Sequence, residues 1–391
     1  MSQEIQSGLL LLGVGGGGCR LAASVQSAYG HGLRALGVDT DALSNRTAAS
    51  GGMTCLLFGG SRLAGHGTGG DAIQGRLAAQ DDMQNLLPHL QGARTVVITA
   101  SLGAGTGGGV TPEIVKTLHD MGLATICFVT RPFAFEGEAR RKAAERVLPM
   151  IEENADSLVV VALDDLFSDA GEVLLADAVQ VAEKLISAGI TLLWRILSKP
   201  GFISLDAERL HAMVLKGGNA RFGYASAEGA DRAAKVVDAL QKCRLLRTGD
   251  ALAKASAQLL GILAGRDLRL VEVGEVMEKM RGISAKTCQV EMGTVLDEQY
   301  EGRIELVVLA FESWTAAAQI EPRKDIASTQ EPPVAEAFPI QPGSRKGRGK
   351  TSKLSFGATG RGKFQNVEPT LFNGQDLDVP TYMRRGITLD R

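Results

Sequence analysis

The stretch Ser101-Leu102-Gly103-Ala104-Gly105-Thr106-Gly107-Gly108-Gly109 decides how this chain folds. It follows the apolar run Thr95-Val96-Val97-Ile98-Thr99-Ala100 and precedes a segment with helical spacing, Val110 to Leu118. Strand, glycine-rich turn and helix in that order bring free backbone N–H groups and the positive end of a helix dipole to one point, where glycine lets an anion approach closely. The same order occurs once before: apolar Leu9 to Leu12, then Gly13-Val14-Gly15-Gly16-Gly17-Gly18, then a helix predicted to begin near Leu21. Two such turns predict one that cradles the inner phosphates of a nucleotide and another that grips its far end. Alone, the first also satisfies G-x-G-x-x-G, and Asp39, at the end of the next apolar run, lies where a dinucleotide fold binds a ribose. A dinucleotide-dependent oxidoreductase therefore stays open as an alternative, although it has no use for the second turn. No Lys-Ser/Thr follows the glycines, which sets both turns apart from a P-loop. A merely structural turn rarely needs so many glycines in succession.

Outward from these turns, short apolar runs alternate with helix-period segments. Leu9–Leu12, Ala35–Val38, Thr95–Ala100, Ala124–Thr130 and Ser157–Leu163 are predicted to be buried strands of a parallel sheet with helices on both faces. The longest helical signal spans Leu174 to Ser198, with a wide apolar stripe that includes Val181, Ile186, Leu193 and Ile196. After Lys199-Pro200-Gly201 come helices near Ala207–Leu215 and Asp231–Gln241, and strands near Gln258–Leu263, Thr287–Val295 and Arg303–Phe311, a second and smaller α+β domain. Beyond Trp314 the prolines and an acid-free basic stretch from Gly343 to Lys363 predict a disordered linker. The final DLDVPTYMRRGITLDR regains apolar and aromatic character, as a short docking peptide does.

At 391 residues, 45% hydrophobic and 22% charged, the chain has an ordinary globular balance. MSQEIQSG has no basic region and the apolar run after it is far shorter than a signal-peptide core or a membrane span, so a cytoplasmic protein without membrane insertion is expected. Five scattered cysteines without CxxC predict neither a disulfide framework nor a zinc site. The five histidines form no HExxH, and no metal site is expected beyond a nucleotide's own Mg²⁺. A formal charge of −2 predicts no specific affinity for nucleic acid.

Several segments then resemble one family. GVGGGGCRLA is similar to the first phosphate loop of FtsZ, VDTDAL to its NTDAQAL segment, and GAGTGGG to the tubulin-family signature GGGTGTG. TRPFAFEGEARR resembles TKPFxFEGxxR; KPGFISLD, GADRAAKVV and AGRDLRLVEV resemble RPGLINVD, GEDRAEEA and AGFDLRLDEF; and DVPTYMRR resembles the terminal DIPAFLRR. The resemblance runs along nearly the whole chain in the family's order. It implies an α/β tubulin/FtsZ-type parallel-sheet GTPase domain over residues 1–173, a long central helix over 174–200, an α+β activation domain over 201–314, a disordered linker over 315–374 and a partner-docking peptide over 375–391. It further implies GTP/GDP and Mg²⁺ as ligands, head-to-tail filaments of the protein with itself, docking onto a membrane tether or division proteins through residues 376–391, and a place at the division site.

Residue by residue, the resemblance implies nucleotide contacts from Gly15, Gly16, Gly17, Gly18 and Arg20 in the first turn, and from Asp39 and Asp41. The γ-phosphate signature falls on Gly103, Ala104, Gly105, Thr106, Gly107, Gly108 and Gly109, where Ala104 fits only with negative φ. Glu136 and Arg140 fall where the family contacts ribose and phosphate; an ordinary i,i+4 ion pair is the alternative. The base pocket departs from the family at Leu163, at Val179 and at Lys184, which stands where a guanine-reading carboxylate is expected; a shift of one turn would make Glu183 or Asp177 the acceptor. The hydrolytic loop, brought to the nucleotide by the next protomer, reads Ser204-Leu205-Asp206-Ala207-Glu208-Arg209, so Asp206 and Glu208 are the catalytic candidates and Arg209 replaces the second acid. Three functions follow: a filament-forming GTPase scaffold of bacterial cytokinesis, a paralogue that polymerises with little hydrolysis, and the oxidoreductase.

Overall fold

The computed structural model describes residues 8–29, 32–167, 174–198, 203, 207–215, 217–247, 249–314, 371–372 and 375–376. In chain order the first half comprises β1 (Leu9–Val14), α1 (Gly15–Tyr29), β2 (Ala35–Asp39), α2 (Ala42–Ala49), β3 (Thr54–Leu57), α3 (Gly60–Leu63), α4 (Ala72–Leu86), β4 (Thr95–Ser101), α5 (Gly105–Asp120), β5 (Ala124–Arg131), α6 (Glu138–Asn154), β6 (Ser157–Ala162) and α7 (Leu163–Phe167). The second half comprises α8 (Leu175–Ser198), α9 (Ala207–Val214), β7 (Gly218–Glu228), α10 (Arg232–Gln241), α11 (Asp250–Lys254), β8 (Ala257–Ala264), α12 (Leu270–Ile283), β9 (Gln289–Leu296) and β10 (Arg303–Phe311). In a separate unit, residues 331–391, the described residues form the antiparallel pairing of β11 (Leu371–Phe372) with β12 (Gln375–Asp376).

Strands β1 to β10 form one sheet in the order β3-β2-β1-β4-β5-β6-β7-β10-β8-β9. The six N-terminal strands pair in parallel, and β7 continues them through a short parallel register, Ser157↔Gly218 to Val159↔Ala220. Beyond β7 the pairing turns antiparallel at β10 and β8. The residue alternation of β1 shows how the layers arise. Leu9 and Leu11 enter a core shared with Ile186, Ile190 and Trp194 of α8, whereas Leu10 and Leu12 enter the opposite core with Ala78 of α4 and Ile114 of α5. Burial on both faces explains why β1 and β4 read as unbroken apolar runs. A third core joins β8 and β10 to α10 and α12.

The parallel strands all point their carboxyl ends at one rim, the position where an open α/β sheet binds ligands. Two strands escape a reading of the sequence. β3 is half exposed, and β7, Gly-Asn-Ala-Arg-Phe-Gly-Tyr-Ala-Ser-Ala-Glu, carries two glycines and little aliphatic bulk. The docking peptide and the linker lie outside the described residues, apart from β11 and β12.

Candidate functional site

The glycine runs are not loops. Helix α1 opens at Gly15 and not near Leu21, and α5 opens at Gly105, so most of the glycines form the first turns of helices whose N–H groups have no intrahelical acceptor. The two N-termini converge: a Cβ built on Gly15, whose φ is +71°, would stand 3.1 Å from the backbone nitrogen of Gly107. At Gly107 a Cβ would strike the Ser101 carbonyl. Ala104, by contrast, is extended at φ −105°, which meets the condition for a side chain there, while Gly103 before it sits at φ +92°. At Gly108 a Cβ would make only ordinary contacts, 3.6 Å from Val147.

Side chains tie the helix ends to the strands. Thr40 and Thr106 share a hydroxyl hydrogen bond of 2.7 Å, and Thr99 donates to the Gly18 carbonyl at 2.9 Å. Asp39, 2% exposed, accepts from the Thr40 N–H through Oδ1. Asp41 caps α2, its Oδ1 accepting from Leu43 and Ser44. Cys19, one residue past the glycines, is buried, and loss of hydration pushes its thiol far above the ordinary range, so it packs as a small apolar side chain.

Around these ends lies a cleft in two compartments. The larger, about 650 Å³, is lined by Gly15, Gly16, Gly17, Asp39, Asp41, Gly103, Ala104, Gly105, Thr106, Gly107 and Arg140. It is also lined by His66, Gly67, Thr68, Gly69 and Gly70, a third glycine-rich segment before α4 that the sequence reading passed over; its density of glycine was the available signal. The smaller compartment, about 410 Å³, shares Gly17, Ser101, Ala104 and Arg140 with the first and adds Arg20, Phe133, Phe135, Glu136, Leu163, Val179 and Glu183. One is rich in backbone donors and the other in apolar walls. That is the division a nucleotide requires between phosphates and base.

The turn from Phe133 to Glu136 is held from two sides. Glu136 accepts the Phe133 N–H at 2.9 Å and pairs with Arg140, while Asp164 accepts the Ala134 N–H at about 3.0 Å. Phe133 and Phe135 stack with centroids 4.9 Å apart, and Phe135 remains 65% exposed. Glu136 therefore makes the ordinary ion pair with Arg140 and also fixes the wall of the cleft. Gly18, Gly108 and Gly109 line neither compartment; Gly18 and Gly109 instead allow close packing, against β4 and α4 respectively. Lys184 is exposed and is not among the lining residues, whereas Glu183 lines the smaller compartment and accepts from Arg20 Nε at 3.0 Å. Asp206, and the side chains of Glu208 and Asp177, lie outside the described residues.

Residues 9–170 match the tubulin/FtsZ family GTPase domain, and residues 218–312 match the FtsZ family C-terminal domain. The chain belongs to the tubulin/FtsZ family. The cleft lies at the carboxyl rim of the FtsZ-type parallel sheet, and every residue lining its larger compartment falls within the matched GTPase domain. Over 376 residues it is 28% identical to cell division protein FtsZ of Pseudomonas putida, an alignment covering 96% of this chain and 88% of the relative. It is 29% identical over 345 residues to cell division protein FtsZ 1 of Rhizobium meliloti, covering 87% of this chain and 58% of that protein's length. A solved FtsZ dimer of M. jannaschii superposes with a TM-score of 0.72 at 24% identity, over 81% of this chain and 94% of the other.

Proposed function

We propose that this protein binds GTP in the two-compartment cleft, assembles head to tail into filaments of the bacterial division apparatus, and hydrolyses GTP between protomers. The observation that carries the reading is the meeting of two glycine-built helix N-termini at Gly15 and Gly107, because a dinucleotide oxidoreductase needs one such end and a nucleoside triphosphate makes use of both. The apolar compartment takes the base, with Glu183 as acceptor for guanine in place of Lys184, and Arg20 and Arg140 stand between base and phosphates. Among the described residues no three metal-ligating side chains converge, so Mg²⁺ would be held by phosphate oxygens and water, as it commonly is. Asp206, with Glu208 beside it, is the acid that a neighbouring protomer inserts, and residues 376–391 dock the filament onto a membrane tether or division partner in the cytoplasm at the division site.

A second reading, a paralogue that assembles with little turnover, is favoured by Arg209 standing where the family places a second acid. Purified protein with GTP and Mg²⁺, followed by light scattering and phosphate release, separates the readings: assembly with turnover, assembly almost without it, or neither. Gly107→Val drives a side chain into the Ser101 carbonyl beside the phosphates. The variant is expected to lose GTP binding and assembly on its own while its circular dichroism stays that of a folded protein and its Asp206 face can still meet a nucleotide-loaded protomer. Retained affinity overturns the assignment.

A further inference from the structure

The two compartments of the cleft meet at a strait. Gly17, Ser101, Ala104 and Arg140 line both, so whatever joins a base in the smaller to phosphates in the larger passes these residues. In a nucleotide that link is the ribose with its first phosphate. Gly17, in the first turn of α1, and Ala104, immediately before α5, present backbone, and Arg140 presents a guanidinium. Such groups suit phosphate. Ser101 alone among the four presents a hydroxyl.

Ser101 ends β4, and Thr130 is its register partner on β5. Thr130, 6% exposed, donates from Oγ1 to Ser101 Oγ at 3.0 Å. One hydroxyl proton of the couple is spent in that bond, and the Ser101 proton remains to donate into the cleft. The hydroxyl is also held in place: a Cβ built on Gly17 would stand 2.2 Å from Ser101 Oγ, so α1 passes directly over it. Thr130 lines the smaller compartment and not the larger, which sets the couple on the base side of the strait, where the sugar lies. The charged side chains nearby are committed elsewhere. Glu136 accepts the Phe133 N–H with one carboxylate oxygen and Arg140 with the other, and Arg20 is paired with Glu183.

We infer that the Ser101 hydroxyl, oriented by Thr130, recognises a hydroxyl of the ribose and makes the site selective for ribonucleotides over deoxyribonucleotides. A ribose hydroxyl both donates and accepts, which matches the free proton and remaining lone pair of Ser101 Oγ. Thr130 acts through Ser101 as a positioning residue. The inference rests on the nucleotide reading above.

The test measures the affinities of full-length wild type and S101A for GDP, 2′-deoxy-GDP and 3′-deoxy-GDP; diphosphates keep hydrolysis of a terminal phosphate out of the measurement. One lost hydrogen bond weakens binding about three- to tenfold. Wild type is expected to bind GDP more tightly than one of the deoxy analogues by that factor, and that analogue names the hydroxyl recognised. S101A should bind GDP more weakly than wild type by the same factor yet bind that analogue as wild type does, so the preference disappears. T130V should lose part of the preference and T130S keep it, a pattern that a merely structural role for Thr130 does not produce. Equal weakening of all three ligands in S101A, an S101A protein with the wild-type preference, or a wild type that binds the three alike overturns the inference. If wild type binds none of them, the nucleotide reading itself fails, and the inference with it.

Discussion

Glu183 commits one carboxylate oxygen to Arg20, and among the described residues nothing donates to the other. Its side chain is 28% exposed at the edge of an apolar compartment, so an unmatched base edge against it would leave a polar group poorly hydrated. Guanine presents two donors, N1–H and the 2-amino group, which suit a carboxylate; adenine presents a lone pair and one amino group. Xanthine, with an oxygen in place of the 2-amino group, matches an amide better. E183Q is therefore expected to weaken GTP binding and improve XTP binding, each by roughly 10- to 100-fold, the effect of about 1–3 kcal/mol for an unpaired polar group. Competition of the two nucleotides for wild type and variant measures this, and an unchanged preference removes Glu183 from base recognition. The sequence identified the departures from the family and offered Lys184, Glu183 or Asp177 at this position without choosing among them, because neighbouring helix positions point about 100° apart; the packed α8 shows Glu183 lining the cleft and Lys184 not among the lining residues.

At the scale of elements, the long apolar strands and α8 were legible because burial on both sides leaves a continuous apolar signal. β3 and β7 were not, since one is edge-like and the other is built from small residues that owe their burial to tertiary neighbours. The helix starts were misplaced for a related reason. A run of glycines reads as a turn by propensity, yet phosphate-binding N-termini need those residues inside the first helical turn. Two motifs downstream prove to be structural. Arg232, from GADRAAK, is 5% exposed and is held by Asp267, from AGRDLRLVEV, at 2.6 Å and by Glu272 of the same motif at 2.8 Å. This cluster ties α10 to α12 and to the loop before it. The Arg232 hydrogen bond, against the opposing effect of burial, depresses the Glu272 carboxyl from 4.5 to about 2. A depressed carboxylate stabilises the fold above its unfolded pKa, and that contribution fades as pH falls through the folded value. Stability of the second half should therefore decline between about pH 4.5 and about pH 2 by roughly 3 kcal/mol from this group alone. Urea titrations of wild type and E272Q across that range test it: the variant should start less stable and lose less. Parallel pH curves for the two proteins would show that the cluster contributes nothing through its charge.

For the whole molecule, the decisive question is whether one protomer holds a complete catalytic site. Among the described residues two carboxylates line the phosphate compartment, and both are engaged through Oδ1, Asp39 with the Thr40 N–H and Asp41 with the start of α2. In the function proposed above the acid is carried in from outside, and Asp206, at the start of the second half, is the residue proposed to arrive with the next copy. Two consequences separate this from a site within one chain. Turnover per protomer should rise with protein concentration and level off once assembly is complete. D206A should bind GTP as wild type does and still assemble, yet release phosphate about 10²- to 10⁴-fold more slowly, the usual loss when a positioned water-activating group is removed. Mixing D206A with Gly107→Val, which offers Asp206 but an empty cleft, should restore some hydrolysis wherever a Gly107→Val protomer abuts a nucleotide held by D206A. Phosphate release that is independent of wild-type concentration, with no rescue in the mixture, would place the catalytic acid within a single chain.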